Sequence, residues 1–71
     1  MKGGLLMKNF SSREIIKIAL ADGWYEVKCV GDHHQFKHDT KKGKATIPHP
    51  KKSIPLKTAK AIFKQLGIKI S

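Results

Sequence analysis

The sequence predicts a small α+β domain of order α-β-β-β-α, a three-stranded antiparallel sheet with both helices on one face. Three observations lead there. Two segments near the ends repeat apolar residues at helical spacing. Between them lie three short stretches, rich in aromatic and β-branched residues or histidine and separated by glycine-bearing turns. The chain has 71 residues, one domain's worth, and buries only a modest core, so both helices are expected to share one sheet face.

The first helix is expected over about residues 12 to 22. Ser11-Ser12-Arg13-Glu14 reads as a capping box, with Phe10 and Ile15 as its hydrophobic staple. Ile15, Ile16, Ala19 and Leu20 form the apolar stripe, with Ile18 at its edge, and Gly23 supplies the stop. Trp24 to Val30 follows as a strand, with Tyr25, Val27 and Cys29 expected on one face and Glu26 and Lys28 on the other. Trp24 and Tyr25 read as core aromatics, and Cys29 as a small buried apolar residue. Gly31-Asp32 is a turn, and His33 to His38 a second, antiparallel strand. Lys44 to Ile47 makes a third strand, ended by Pro48. A proline-bearing connector leads to a second helix over about 56 to 66, with Leu56, Ala59, Ile62 or Phe63, and Leu66 facing inward. Gly67 stops it, and Ile68 folds back. Residues 1–9 read as a flexible lead-in, with Met1 or Met7 as the natural start, and 10–71 as the single domain.

Charge narrows the function. Fifteen Lys plus Arg against five Asp plus Glu give +10, and every basic residue but Arg13 is lysine. Such a balance favours polyanionic partners, and lysine suits phosphate better than the bidentate reading of guanine. No apolar stretch is long enough for a membrane span, and the opening is too short for a signal peptide, so the chain is expected in the cytoplasm. One cysteine excludes an internal disulfide. No cofactor is expected. Nor is a metal: the histidines do not follow zinc-finger or HExxH spacing, and His34 with His38 cannot close a tetrahedral site alone.

Three of the four histidines fall in Gly31-Asp32-His33-His34-Gln35-Phe36-Lys37-His38. Strand alternation sends His33, Gln35 and Lys37 one way and His34, Phe36 and His38 the other. If Phe36 seeks the core, His33 stands on the open face; a one-residue slip would reverse this. The stretch resembles the glycine-serine-histidine signature of the HicA toxins, with Asp32 where serine is usual. Gly23-Trp24-Tyr25, Thr46-Ile47-Pro48-His49-Pro50 and Ile62-Phe63-Lys64-Gln65-Leu66-Gly67-Ile68 also resemble that family, so the likeness spans roughly residues 10 to 70.

The resemblance implies a double-stranded-RNA-binding-domain-like fold, which the α-β-β-β-α order also matches. It further implies a bacterial mRNA interferase, a ribonuclease toxin of a type II toxin–antitoxin pair neutralised by a HicB-type antitoxin. It assigns the catalytic histidine to His33. His34 and Asp32 are possible auxiliaries, since a carboxylate at 32 favours imidazolium and so bears on rate and pH optimum. RNA carries its own nucleophile, the 2′-OH, so a metal-independent endoribonuclease needs a base, an acid and a cation beside the phosphate. Lys37, Lys41, Lys42, Lys44, His49, Lys51 and Lys52 are the expected RNA contacts. The expected partners are mRNA and an antitoxin with an acidic surface covering His33, in a hetero-oligomer. A non-catalytic double-stranded-RNA-binding module fits the same order and charge; a DNA-binding accessory is disfavoured by the lack of a helix-turn-helix pattern.

Overall fold

The computed structural model describes residues 9–69. The lead-in expected over 1–9 and the choice between Met1 and Met7 therefore lie, Asn9 apart, outside the described residues. Helix α1 spans Ser12–Ala21, strands β1, β2 and β3 span Trp24–Val30, His33–His38 and Ala45–Pro48, and helix α2 spans Leu56–Leu66. The order and the antiparallel β1-β2-β3 sheet are as the sequence predicts. The third strand is shifted by one residue: Pro48 is its last member, paired with His33, rather than the residue after it. That position lies at the strand's end, where the missing N–H of proline is tolerated.

The capping box closes α1. The Ser11 hydroxyl accepts from the Glu14 N–H at 3.1 Å, and the Glu14 carboxylate accepts from the Ser11 N–H at 2.9 Å. Phe10 packs edge-on against Phe63, ring centroids 5.2 Å apart, which ties the start of the domain to α2. At the far end of α2, Gly67 adopts the left-handed conformation, and the Ile68 N–H returns to the Phe63 carbonyl at 3.0 Å.

Register decides which side of the sheet is buried. Residues directly opposite one another share a face, and faces alternate along a strand. Phe36 pairs with Ala45 and His34 with Ile47, so these four point to one side. On β1, Trp24 and Glu26 pair with His38 and Phe36, and Cys29 pairs with His34. Glu26 and Cys29 are three apart and would ordinarily face opposite ways. A bulge between Glu26 and Lys28 inserts Val27 and brings both to the helix side. This corrects the expected faces of β1. Glu26 and Cys29 share the helix side, Tyr25 and Lys28 face out, and Tyr25 and Cys29 are exposed rather than buried.

The core is one cluster drawn from both helices and the sheet: Ile15 and Ala19 of α1, Ala59, Ile62, Phe63 and Leu66 of α2, and Trp24, Phe36, Ala45, Ile47 and Ile54. Leu20, expected in the α1 stripe, is instead 52% exposed. At the C-terminal ends of both helices, Lys41 donates to the Asp22 carboxylate at 2.6 Å and to the Leu66 and Gly67 carbonyls, each at 3.1 Å. An ammonium there meets the negative ends of two helix dipoles at once. Trp24 adds an indole N–H bond to the Leu66 carbonyl at 3.2 Å. Gly23, at φ 101°, lies so close to His38 that a Cβ would come within 2.9 Å of the ring.

The hydrogen bond from Lys41 holds the Asp22 carboxyl below its ordinary value of 3.8. A carboxyl depressed in the folded state stabilises it above the unfolded value, and that contribution is lost as the pH falls through the lowered value. Asp22→Asn is therefore expected to lower the urea midpoint at neutral pH, with the gap to the wild type closing well below pH 3.8. A gap that persists unchanged in acid contradicts the pairing.

Candidate functional site

The site starts from the two-residue hairpin turn Gly31-Asp32. Gly31 has φ 60° while among the described residues no non-glycine residue, Asp32 included, has positive φ, the pattern of a turn with glycine at its first central position. A Cβ at Gly31 would meet nothing within 4 Å, so glycine is required for its backbone angle, not for space. The turn sets Asp32 beside His33, with Nδ1 3.1 Å from the carboxylate. The carboxylate's charge beside Nδ1 favours a proton on that nitrogen, the neutral tautomer that leaves the lone pair on Nε2. The His33 and Asp32 side chains are 64% and 52% exposed, so water screens the pair, which works as an orienting contact.

The other three histidines are bonded within the protein. His34, on the helix side, is 18% exposed and pairs with Glu26 through Nδ1 at 2.9 Å. His38 is 12% exposed. Its Nε2–H donates to the Asp22 carbonyl at 2.7 Å, and its Nδ1 accepts from the Thr40 and Lys41 N–H groups. Both nitrogens are thereby used, which makes His38 a structural residue. His49 Nδ1 lies 2.6 Å from the Ser12 hydroxyl, and its ring meets that of His34 edge-on at 5.2 Å. The alternation read from the sequence is the one observed: His33, Gln35 and Lys37 on the open face, His34, Phe36 and His38 on the covered one.

Ser12, the buried polar residue among the described ones, anchors the connector. Its hydroxyl accepts the Lys51 N–H at 2.8 Å and donates to the Lys51 carbonyl at 3.1 Å. Its backbone N–H donates to the same carbonyl at 2.9 Å. The His49 N–H in turn reaches the Asp32 carbonyl at 2.8 Å, coupling the connector to the hairpin turn. An open cleft of 410 Å³ results, lined by Asp32, His33, Pro48, Lys51, Ser53 and Thr58 among others. A second, of 440 Å³, is lined by Ser11, Ser12, Arg13, His49, Lys51 and Lys52 with Pro50. Lys51 lines both clefts, so the surface beside His33 runs on to the connector's basic residues.

The lysines divide by their partners. Lys37 stands on the open face, and Lys42, Lys44, Lys51 and Lys52 are exposed. Lys41 is instead engaged by Asp22 and two carbonyls, away from the His33 cleft. Sequence reading passed over Arg13, whose presence at the second cleft follows from its capping-box position beside the connector. For Tyr25 the sequence favoured a core aromatic over a base-stacking one, and the structure places it at the surface. Tyr25 pairs with Lys37 across the strands and is 44% exposed on the open face, a ring available for stacking.

Among the described residues, no helix is long and apolar enough to cross a membrane. A family model described as the HicA toxin of bacterial toxin–antitoxin matches residues 12–68. No curated protein matches the chain.

Removing the Ser12 hydroxyl takes the partner from the part-buried Lys51 N–H and from the His49 ring. Ser12→Ala is expected to cost about 1 kcal/mol of stability, the scale of one lost hydrogen bond, read from urea denaturation. A neutral result would show that the connector is held elsewhere.

Proposed function

The chain belongs to the HicA family of toxins of bacterial toxin–antitoxin systems, and from that premise we propose that it is a metal-independent endoribonuclease that cleaves mRNA with His33. The observation that carries the reading is the contrast among the histidines. His33 is the exposed one, set beside Asp32 and lining an open cleft, while His34, His38 and His49 are tied into the fold. His33 takes the proton from the ribose 2′-OH, and the resulting oxyanion attacks the adjacent phosphorus, closing a 2′,3′-cyclic phosphate as the P–O5′ bond breaks and the departing 5′-oxygen takes a proton from solvent. Lys37 and Lys51 supply cations beside the charge that builds on the phosphate.

Lys42, Lys44, Lys52 and His49 extend the phosphate-binding track, and Tyr25 offers a stacking surface on the open face. Lys41 serves the fold. His34 acts through packing and Asp32 through the orientation of His33. The cognate antitoxin of such a toxin would cover His33 and the basic face in a hetero-oligomer, and an acidic surface suits a chain of net charge +10. The setting is the bacterial cytoplasm.

His33→Ala is expected to lower cleavage of single-stranded RNA by the purified protein at least about 100-fold, the lower end of general acid–base contributions, while RNA binding persists. Cleavage retained in that variant removes His33 from the chemistry. A wild type that binds RNA and never cuts it leaves a non-catalytic RNA-binding module. For binding, Lys37→Ala is expected to reduce the slope of log affinity against log salt by about 0.7, one phosphate contact on a single strand. An unchanged slope would take Lys37 out of the interface.

A further inference from the structure

One polar cluster on the covered side of the sheet is used neither by the core nor by the proposed chemistry: Glu26, Cys29 and His34. Their donor atoms all lie within 4.8 Å of one another. We propose that this cluster is a binding site for a soft-to-borderline divalent cation, zinc being the best match. Cys29 Sγ and His34 Nε2 act as ligands, and Glu26 holds the ring.

Three features converge. The first is the bulge. Were Val27 part of a regular strand rather than bulged out, Glu26 and Cys29 would face opposite sides of β1, and only one of them could reach His34. The second is the protonation pattern. The Glu26 carboxylate lies 2.9 Å from His34 Nδ1, which must be the donor because the carboxylate only accepts. The neutral ring therefore presents its lone pair at Nε2, on the Cys29 side. A carboxylate on the outer nitrogen of a ligating imidazole is the usual support for a metal-bound histidine. The third is distance. Cys29 Sγ stands 3.5 Å from His34 Nε2. Sulfur at about 2.3 Å and nitrogen at about 2.0 Å from a tetrahedral ion are themselves about 3.5 Å apart, so the pair already spans one edge of the coordination tetrahedron.

Charge balance is consistent with a cation here despite the chain's +10. Binding releases the Cys29 thiol proton to solvent, and the thiolate with the Glu26 carboxylate then brings two negative charges to the ion. Cys29 and Glu26 are exposed, so the ion has a path in, and water completes its shell. His34 and His33 point to opposite sides of β2, which separates this site from the proposed cleavage chemistry. The inference does not rest on the nuclease reading.

The test is titration of the reduced 71-residue chain with Co²⁺, followed by displacement with Zn²⁺. The expected result is a thiolate-to-cobalt charge-transfer band that saturates at one equivalent per chain and is abolished by Zn²⁺. It should be absent in Cys29→Ser and lost in His34→Asn. Glu26→Gln is expected to weaken binding about 10- to 100-fold, the usual effect of losing an outer-shell partner. Circular dichroism checks that each variant is folded, and Cys29→Ser, at an exposed position, serves as reference should His34→Asn unfold. The absence of a band overturns the proposal. So does a band that survives in His34→Asn, or saturation at half an equivalent, which would mean that thiolates of two chains share one ion.

Discussion

A short chain can cover one face of a three-stranded sheet and no more, and the rest of this structure follows from which face is chosen. Phe36, Ala45, Ile47 and Trp24 are buried on the same side and form one cluster with the inner stripes of both helices. Full burial of a side chain such as Phe36 is worth roughly 1.5–3 kcal/mol, a large share of what a domain of this size has to spare. A one-residue slip of β2 would expose Phe36 and bury His33, so the register is strongly fixed. The same constraint turns His33, Gln35 and Lys37 to the open side.

Two polar ties hold the covering layer in place, one at each end. At the helix C-termini, Lys41 joins Asp22 of α1 to the last carbonyls of α2, and His38 braces the turn between them. At the N-terminus of α1, Ser12 grips the connector through Lys51 and His49. The second tie brings the basic connector beside the hairpin turn that carries Asp32 and His33. The distribution of histidines follows from these ties. A ring with both nitrogens bonded is a structural part, whereas one held at a single nitrogen, exposed, retains a lone pair for proton transfer. On that ground His38 and His33 differ in kind, though they lie on one strand.

Much of the architecture was legible. The capping box, the glycine stops and the alternation of β2 are local signals, and each appears where those residues stand. The opposite faces of His33 and His34 could be read because Phe36 supplied an unambiguous inward marker. The faces of β1 could not. A bulge is one extra residue whose cause lies in the pairing partner, so Tyr25 and Cys29 looked inward by simple alternation and are exposed. The lysines were equally opaque. Nothing local separates Lys41 from Lys42, yet one is bound by two helix ends and the other faces solvent.

By itself, the sequence determined the order of elements, their limits to within a residue or two, the surplus of positive charge and the family, because these depend on local spacing and composition. The tertiary structure alone decided which cations are free, which imidazoles are tied, and that Glu26, Cys29 and His34 meet. Each of those depends on groups distant in the chain being brought within hydrogen-bond reach. That is settled by packing and by the register of one strand on another, neither of which a local pattern encodes.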